Sequence, residues 1–221
     1  MKIIPAILTG SASTAERQLS EVATDGRLEL VQLDVIDGWF ADNLTLTPVD
    51  YSQISFASLE AEFHLMTEEP LDYVFELLEY QHQIPVRSVI GQVERMSHQT
   101  EFIQQIKGSD WQAGLSVDLF TPLESLEPEA LLKVDVVQLM AIEAGFQGQE
   151  LVDTVFEKII ELQELREALQ VQFTIAIDGG VKVGNLARLK QAGVDAACVG
   201  SALWQSASFT TALDDLMSIA E

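Results

Sequence analysis

Short apolar runs alternate with amphipathic stretches along the whole chain. Eight runs rich in β-branched and other apolar residues are typical of strands. They are residues 3–8, 30–34, 61–66, 86–91, 113–117, 134–140, 173–178 and 196–200. Four stretches between them repeat apolar residues at i, i+3 and i+4, and therefore predict helices at 71–80, 101–106, 151–169 and 183–191. About eight such β-then-α units predict a (β/α)8 TIM barrel, with a doubly wound open sheet as the competing arrangement.

The composition suits one packed unit. The chain has 221 residues, of which 48% are hydrophobic and 21% charged, and α/β barrels of this length form one domain, so we expect a single domain over residues 1–221. No apolar stretch approaches the roughly 18 residues of a membrane span, and residues 1–10 are too short for a signal peptide. We therefore expect a cytoplasmic location. Cys198 has no cysteine partner and is expected to pack as a small buried hydrophobe.

The formal net charge is −23, from 35 acidic and 12 basic residues. Such a chain repels nucleic-acid phosphates and anionic lipid surfaces, so neither nucleic acid nor membrane is an expected partner. The plainest interpretation of the charge is solubility, because the acidic residues are spread along helix faces. A small anionic ligand stays possible if the groups that hold it act locally.

Two acidic residues, Asp34 in VQLDVIDG and Asp178 in FTIAIDGG, follow apolar strand segments near opposite ends of the chain. In a parallel barrel both lie at the C-terminal mouth, where two opposed carboxylates suit proton removal and return on opposite faces of a carbon. His64 in EFHLM would complete a set of N and O ligands for Zn²⁺, Fe²⁺, Mn²⁺ or Co²⁺. The alternative for a lone strand histidine is a hydrogen-bonded core or rim residue.

Three glycine-bearing turns follow the late strands, at residues 144–149, 178–181 and 200–202. Such turns bind phosphate in barrels because backbone N–H groups approach the anion closely. Their alternative role is to end strands and form turns, but their joint late position favours phosphate. Asp37, before Gly38, is expected to hold the loop after the second strand through backbone N–H groups. Met66 and Met140 are expected to line the pocket ceiling or to fill the core.

Seven segments together resemble the ribulose-phosphate 3-epimerase family, in order over nearly the whole chain. They are PAIL (5–8), LDVIDGWFADNLT (33–45), HLMTEEP (64–70), TPLE (121–124), LMAIEAGFQGQ (139–149), IDGGV (177–181) and GSALW (200–204). The resemblance implies a (β/α)8 barrel that interconverts ribulose 5-phosphate and xylulose 5-phosphate by moving the C3 proton. It also implies a divalent metal bound by two aspartates and two histidines, and a homo-oligomeric assembly.

The resemblance assigns roles by matching motif. Asp34 and Asp178 become the acid/base pair and metal ligands, His64 a metal ligand, and Met66 and Met140 an apolar cap. The phosphate loops then contain Gly145, Phe146, Gly148, Gly180, Gly200 and Ser201.

The chain departs from the family pattern where the chemistry is expected. Gln32 replaces the family's first histidine ligand, and the other departures are Ala6, Ile36, Gln92, Asp118 and Gln147. An amide oxygen is a weaker ligand than imidazole for borderline metals, so we expect a weakened metal site with Gln32 as its fourth member.

Three functions follow from these observations. The first is an epimerase of this type, with altered metal preference or a related ketose phosphate as substrate. The second is a weakly active or non-catalytic sugar-phosphate-binding paralogue, indicated by the joint change at Ala6, Gln32 and Ile36. The third, a barrel decarboxylase or aldolase, is disfavoured because such relatives carry Asp-x-Lys-x-x-Asp after a strand and DVID has no lysine.

Overall fold

The computed structural model describes residues 1–221, in which strands and helices alternate. The strands are β1 Lys2–Ile7, β2 Leu30–Ile36, β3 Glu60–Met66, β4 Val86–Gln92, β5 Gln112–Val117, β6 Val136–Met140, β7 Thr174–Asp178 and β8 Ala196–Val199. The helices are α1 Ala12–Asp25, α2 Pro48–Tyr51, α3 Pro70–Glu79, α4 Gln99–Lys107, α5 Pro128–Leu131, α6 Val155–Leu169, α7 Val183–Gln191, α8 Ser201–Trp204 and α9 Phe209–Ala220. Two 3₁₀ turns lie at Val93–Arg95 and Leu123–Ser125.

The eight strands close into a barrel in sequential order, and every pairing is parallel. β1 pairs with both β2 and β8, so neither end of the sheet is left as an edge. This confirms the (β/α)8 barrel, and the open-sheet alternative is wrong. All eight apolar runs became strands.

The end of β2 was predicted at Asp34, but the strand runs to Ile36, so Asp34 lies inside it and not at its end. β3 ends at Met66 as predicted, and His64 lies two residues before that end, inside the strand. The Cα positions of Asp34 and His64 are register partners. The two side chains therefore lie side by side, deeper in the barrel than the loops.

The four predicted helices are present as α3, α4, α6 and α7, but α6 begins at Val155, later than position 151. The preceding residues are used elsewhere: Val152 N–H donates to the Ala141 carbonyl, and the Leu151 backbone packs on Gly180. α1 and α9 were not identified. α1 shows the usual end signals, an accepting Ser11 side chain at its start and Gly26 with φ 75° after its end.

Successive side chains along each strand point alternately outward to the helices and inward to the barrel interior. Outward residues, such as Val31, Leu33 and Val35, join the helices in an apolar cluster of 52 buried residues, here called the outer shell. Inward residues fill the barrel interior. Its apolar members are Ile4, Ala6, Ile90, Val136, Ala176, Ala196 and Cys198. Its buried polar members are Gln32, Asp34, Glu62, His64, Ser88, Gln92, Ser116, Gln138 and Asp178.

The helices of this fold are short, and α6 with 15 residues is the longest. None combines the length and the apolar character that a membrane crossing requires.

Candidate active site

Asp34, His64 and Asp178 meet in the barrel interior. His64 Nδ1 lies 3.1 Å from Asp34 Oδ1 and 3.2 Å from Asp178 Oδ2. The ligand atoms of the three side chains all lie within 4.8 Å of one another. β2, β3 and β7 therefore bring together the three residues that the sequence predicted to form one site.

The charges of this cluster are strongly coupled. Burial raises the pKa of Asp34 to about 6; the hydrogen bond from His64 opposes this rise, and the charge of Asp178 adds to it. Burial alone would lower the pKa of His64, but hydrogen bonds to Asp178 and Asp34 raise it to about 9. The hydrogen bonds to Asp178 and Asp34 therefore favour the protonated, positively charged form of the His64 ring.

Gln32 also joins the two carboxylates. Its Nε2 donates to Asp178 Oδ2 at 2.8 Å and to Asp34 Oδ1 at 3.1 Å. Its Oε1 accepts the Cys198 S–H at 3.0 Å. Burial, with the nearby Asp178, Glu62 and Asp34 carboxylates, raises the pKa of the Cys198 thiol, which keeps it a proton donor. The predicted fourth ligand thus presents N–H groups to the place where a ligand oxygen was expected.

Gln92 holds the other side of the His64 ring. Its side chain is fully satisfied when the carbonyl oxygen accepts from His64 Nε2 and Ser116 Oγ, both at 3.1 Å, while its amide donates to Glu94 Oε2 at 2.9 Å. Since both ring nitrogens then donate, the orientation of His64 is fixed. Gln92 is therefore a support of the ring, and such partners set the orientation of metal-binding histidines.

A cavity opens above this cluster, with about 460 Å³ of empty space when the solvent at its mouth is included. Asp34, Asp178, Met66 and Met140 line it, whereas His64 and Gln32 lie below its floor. All six residues assigned to the phosphate loops line it too: Gly145, Phe146, Gly148, Gly180, Gly200 and Ser201. No lysine or arginine is in the lining, so an anionic group there would rest on backbone N–H groups and neutral side chains.

The glycine turns have conformations that glycine favours. φ is 117° at Gly145, 89° at Gly148 and 67° at Gly180. A Cβ at Gly180 would also come within 2.4 Å of Leu151 N, so the loops after β6 and β7 pack backbone to backbone. Across the mouth, Asn43 Nδ2 donates to the Gly145 carbonyl at 2.7 Å and ties the loop after β2 to the loop after β6.

Gln147 and Ala6, two of the departures from the family pattern, both line the cavity. The Gln147 side chain covers Gly200, with Nε2 2.6 Å from the point where a Gly200 Cβ would stand. Its only hydrogen bond is a long one, 3.5 Å, to the Ala6 carbonyl. That carbonyl also accepts from Trp204 Nε1 at 2.6 Å. Gln147 therefore brings amide donors into a wall that has no basic side chain.

Other residues singled out from the sequence lie around the mouth. Asp37 accepts from the Trp39, Phe40 and Glu68 backbone N–H groups, as expected of a loop-holding residue. Asp118 does not reach the cavity and borders a separate cleft with Glu94. Its carbonyl accepts from Lys158 Nζ at 2.7 Å.

Three interior residues were missed as parts of the cluster. Gln138 Nε2 lies 3.5 Å from Asp178 Oδ2. Cys198, expected to be a plain hydrophobe, donates its S–H to Gln32 Oε1 at 3.0 Å and has Gln138 Oε1 as a second acceptor 3.7 Å away. Glu62 accepts from Ser88 Oγ at 2.6 Å, has one oxygen without a partner, and has its pKa raised by burial. The signal was polar residues at every second position within apolar strands, which indicates a polar barrel interior.

Three of the four expected donors fit a divalent metal. Two carboxylate oxygens and an imidazole nitrogen are suitable ligands. Their 3.1 and 3.2 Å separations from His64 Nδ1 approach the roughly 3.3 Å that joins ligands about 2 Å from a tetrahedral ion. Gln32 fits only with its amide reversed, so that Oε1 faces the ion.

Comparisons with known proteins agree with this arrangement. The ribulose-phosphate 3 epimerase family matches residues 2–204 of the chain. The chain is 32% identical over 206 residues to a ribulose-phosphate 3-epimerase of Aquifex aeolicus, covering 92% of this chain and 90% of that protein. It is 28% identical to one from Helicobacter pylori (strain J99), covering 99% and 98%.

Solved structures show a similar fold. A 3-hexulose-6-phosphate synthase from Salmonella typhimurium superposes with a TM-score of 0.70 at 13% identity, over 99% of this chain and 98% of that one. A mutant tryptophan synthase α-subunit from Pyrococcus furiosus gives 0.71 at 16% identity, over the same shares. These structures support the barrel alone, whereas the family match spans residues 2–204, a range that contains every residue lining the cavity. The chain belongs to the ribulose-phosphate 3-epimerase family.

Proposed function

We propose that this chain is an isomerase that interconverts ribulose 5-phosphate and xylulose 5-phosphate by transferring the proton at C3. The observation that carries this proposal is the pair Asp34 and Asp178, which both line the same cavity above His64. One oxygen of each carboxylate, Asp34 Oδ2 and Asp178 Oδ1, accepts no hydrogen bond from the protein and is not fully buried. Each is therefore available to a bound ligand.

In the proposed reaction one carboxylate removes the C3 proton and becomes a carboxylic acid. The electron pair of the C–H bond moves into an enediolate of the sugar, with no net oxidation or reduction. The other residue, starting protonated, returns a proton to the opposite face of C3. The two residues thereby exchange protonation states, and C3 is inverted.

The remaining residues bind the substrate and stabilise the negative charge of the enediolate. The glycine turns offer backbone N–H groups to the phosphate, and Met66 and Met140 exclude water above the reacting carbon. Asp34, His64 and Asp178 would hold a divalent cation, of the Zn²⁺, Fe²⁺, Mn²⁺ or Co²⁺ class. When bound, such a cation supplies positive charge that stabilises the enediolate.

The test is incubation of the purified protein with ribulose 5-phosphate in deuterated water, with each of the four metals and without metal, followed by NMR. We expect xylulose 5-phosphate carrying deuterium at C3. Asp34→Asn and Asp178→Asn should each lower the rate by about 10²- to 10⁴-fold. The control is Asp72→Asn, an exposed residue of α3, which should leave the rate unchanged. Absence of both product and C3 deuterium under every metal condition would refute the proposal.

A second function, sugar-phosphate binding with little or no turnover, is favoured by one observation. Gln32 presents N–H groups, and not a ligand atom, to Asp34 and Asp178. Calorimetric titration with ribulose 5-phosphate separates the two functions. Tight binding without turnover under every metal condition supports the binding protein, whereas binding with turnover supports the epimerase.

A further inference from the structure

Gln32 occupies the corner of the site opposite His64. Its Nε2 reaches one oxygen of each carboxylate, Asp178 Oδ2 at 2.8 Å and Asp34 Oδ1 at 3.1 Å. The same two oxygens lie 3.1 and 3.2 Å from His64 Nδ1. The amide nitrogen and the ring nitrogen therefore flank the point where a cation would contact both carboxylates.

The orientation of the amide follows from charge. Reversed, Gln32 Oε1 would lie about 3 Å from two carboxylate oxygens, which repels unless a cation sits among them. Without a cation, Nε2 of Gln32 therefore faces the two carboxylates. A bound cation would repel the N–H groups and attract Oε1, so the amide would have to be reversed. Gln32 cannot adopt both orientations at once.

Cys198 favours the first arrangement. Its S–H donates to Gln32 Oε1 at 3.0 Å, while its other acceptor, Gln138 Oε1, is 3.7 Å away. After rotation, Gln32 would present N–H groups to a sulfur that is a poor acceptor, and the S–H would keep only the longer contact. Rotation therefore costs hydrogen bonds that the metal must compensate.

We propose that Gln32 is a positioning residue that competes with the metal: its amide bridges Asp34 and Asp178 in the metal-free protein, Cys198 holds it there, and the metal binds only when the amide rotates. This inference rests on the proposed function, because it concerns the same carboxylate pair. It assigns to Gln32 and Cys198 a control of metal affinity beyond the loss of one ligand.

The first experiment measures binding of Co²⁺ alone, without sugar, by calorimetry and by the visible absorption of the bound ion. Gln32→His removes the competing amide and adds a ligand, so we expect Co²⁺ to bind at least about 10-fold more tightly than to the wild type. Gln53→His, which adds a histidine at an exposed residue, is the control for surface binding and should match the wild type. Equal affinities of Gln32→His and wild type would overturn the proposal.

The second experiment isolates Cys198 and does not depend on how Gln32→His folds. Cys198→Ala removes the bond that holds the amide, so Co²⁺ should bind about 2- to 10-fold more tightly. Cys198→Ser restores a donor and should return the affinity towards that of the wild type. A merely structural role for Cys198 predicts weaker binding in Cys198→Ala. Unchanged or weaker binding would therefore overturn the part of the proposal given to this residue.

Both experiments use the full chain and a metal ion only. Urea denaturation of each variant verifies that it is folded at the temperature of the titration. Because no sugar is present, these results stand apart from the turnover test. A chain that fails to epimerise ribulose 5-phosphate can still show the tighter Co²⁺ binding, and an active chain can still fail to show it.

Discussion

The outer shell and the barrel interior are built from the same eight strands but from opposite kinds of side chain. On β2, Val31, Leu33 and Val35 are buried in the outer shell, while Gln32 and Asp34 point inward to the polar cluster. The outer shell is stabilised by burial of apolar surface, and this effect does not depend on the direction of individual contacts. The interior must satisfy each buried polar atom by a specific contact. Stability and chemistry are therefore largely assigned to opposite faces of each strand.

The largest predicted effect that tests this separation of stability from chemistry is on the free energy of unfolding. Phe102, from α4, is fully buried in the outer shell against the face of β4 that carries Gly91. Phe102→Ala should lower the free energy of unfolding by about 3–5 kcal/mol, through lost burial and the cavity left behind. Urea denaturation measures it, with Phe75→Ala, 49% exposed, as the control expected to stay within about 0.5 kcal/mol. If folded Phe102→Ala also lost Co²⁺ binding, the two faces would not be independent.

A second prediction compares one added methyl group on each face. Ala at Gly91 would meet Met96, Phe102 and Pro70 in the outer shell, and Ala at Gly114 would meet Ile90 Cγ1 at 2.6 Å in the interior. Each substitution should lower the free energy of unfolding by about 1–3 kcal/mol. Ile90 is the register partner of His64, so only Gly114→Ala should also weaken Co²⁺ binding. Equal Co²⁺ affinities in the two variants would contradict this division.

The smallest predicted effect concerns the upper wall of the interior. Gln147→Leu keeps the side-chain size but removes the amide donors near Gly200. Because the cavity lining has no lysine or arginine, we expect ribulose 5-phosphate to bind about 2- to 10-fold more weakly. Calorimetry of ribulose 5-phosphate and of ribulose separates the causes. A similar loss for the sugar without phosphate would show that Gln147 acts on the sugar.

The sequence alone predicted the frame of the site, because about eight β-then-α units indicate a parallel barrel and parallel strands share one mouth. Asp34, His64 and Asp178 were brought together on that basis. Glycine turns after late strands were likewise placed at the cavity, because such turns let backbone N–H groups approach a phosphate. These predictions depend on local pattern and on the topology of one fold.

The orientation of Gln32 was not predictable in this way. It depends on Asp178 and Cys198, which are 146 and 166 positions away along the chain, at distances that only the closed barrel sets. Cys198 was expected to be inert because a thiol in an apolar run looks like core. Asp118 shows the opposite error, since a polar residue after a strand pointed to the site and instead borders a neighbouring cleft.

The Asn43 side chain crosses the mouth to the Gly145 carbonyl, joining segments that stand 102 positions apart. A ligand that needs a wider entrance on that side must first break this hydrogen bond. We therefore expect the hydrogen bond to affect the rates of ligand entry and exit, since loop opening limits the turnover of many enzymes. Proteins that share this cavity but lack the hydrogen bond are therefore expected to differ in how long a ligand stays bound.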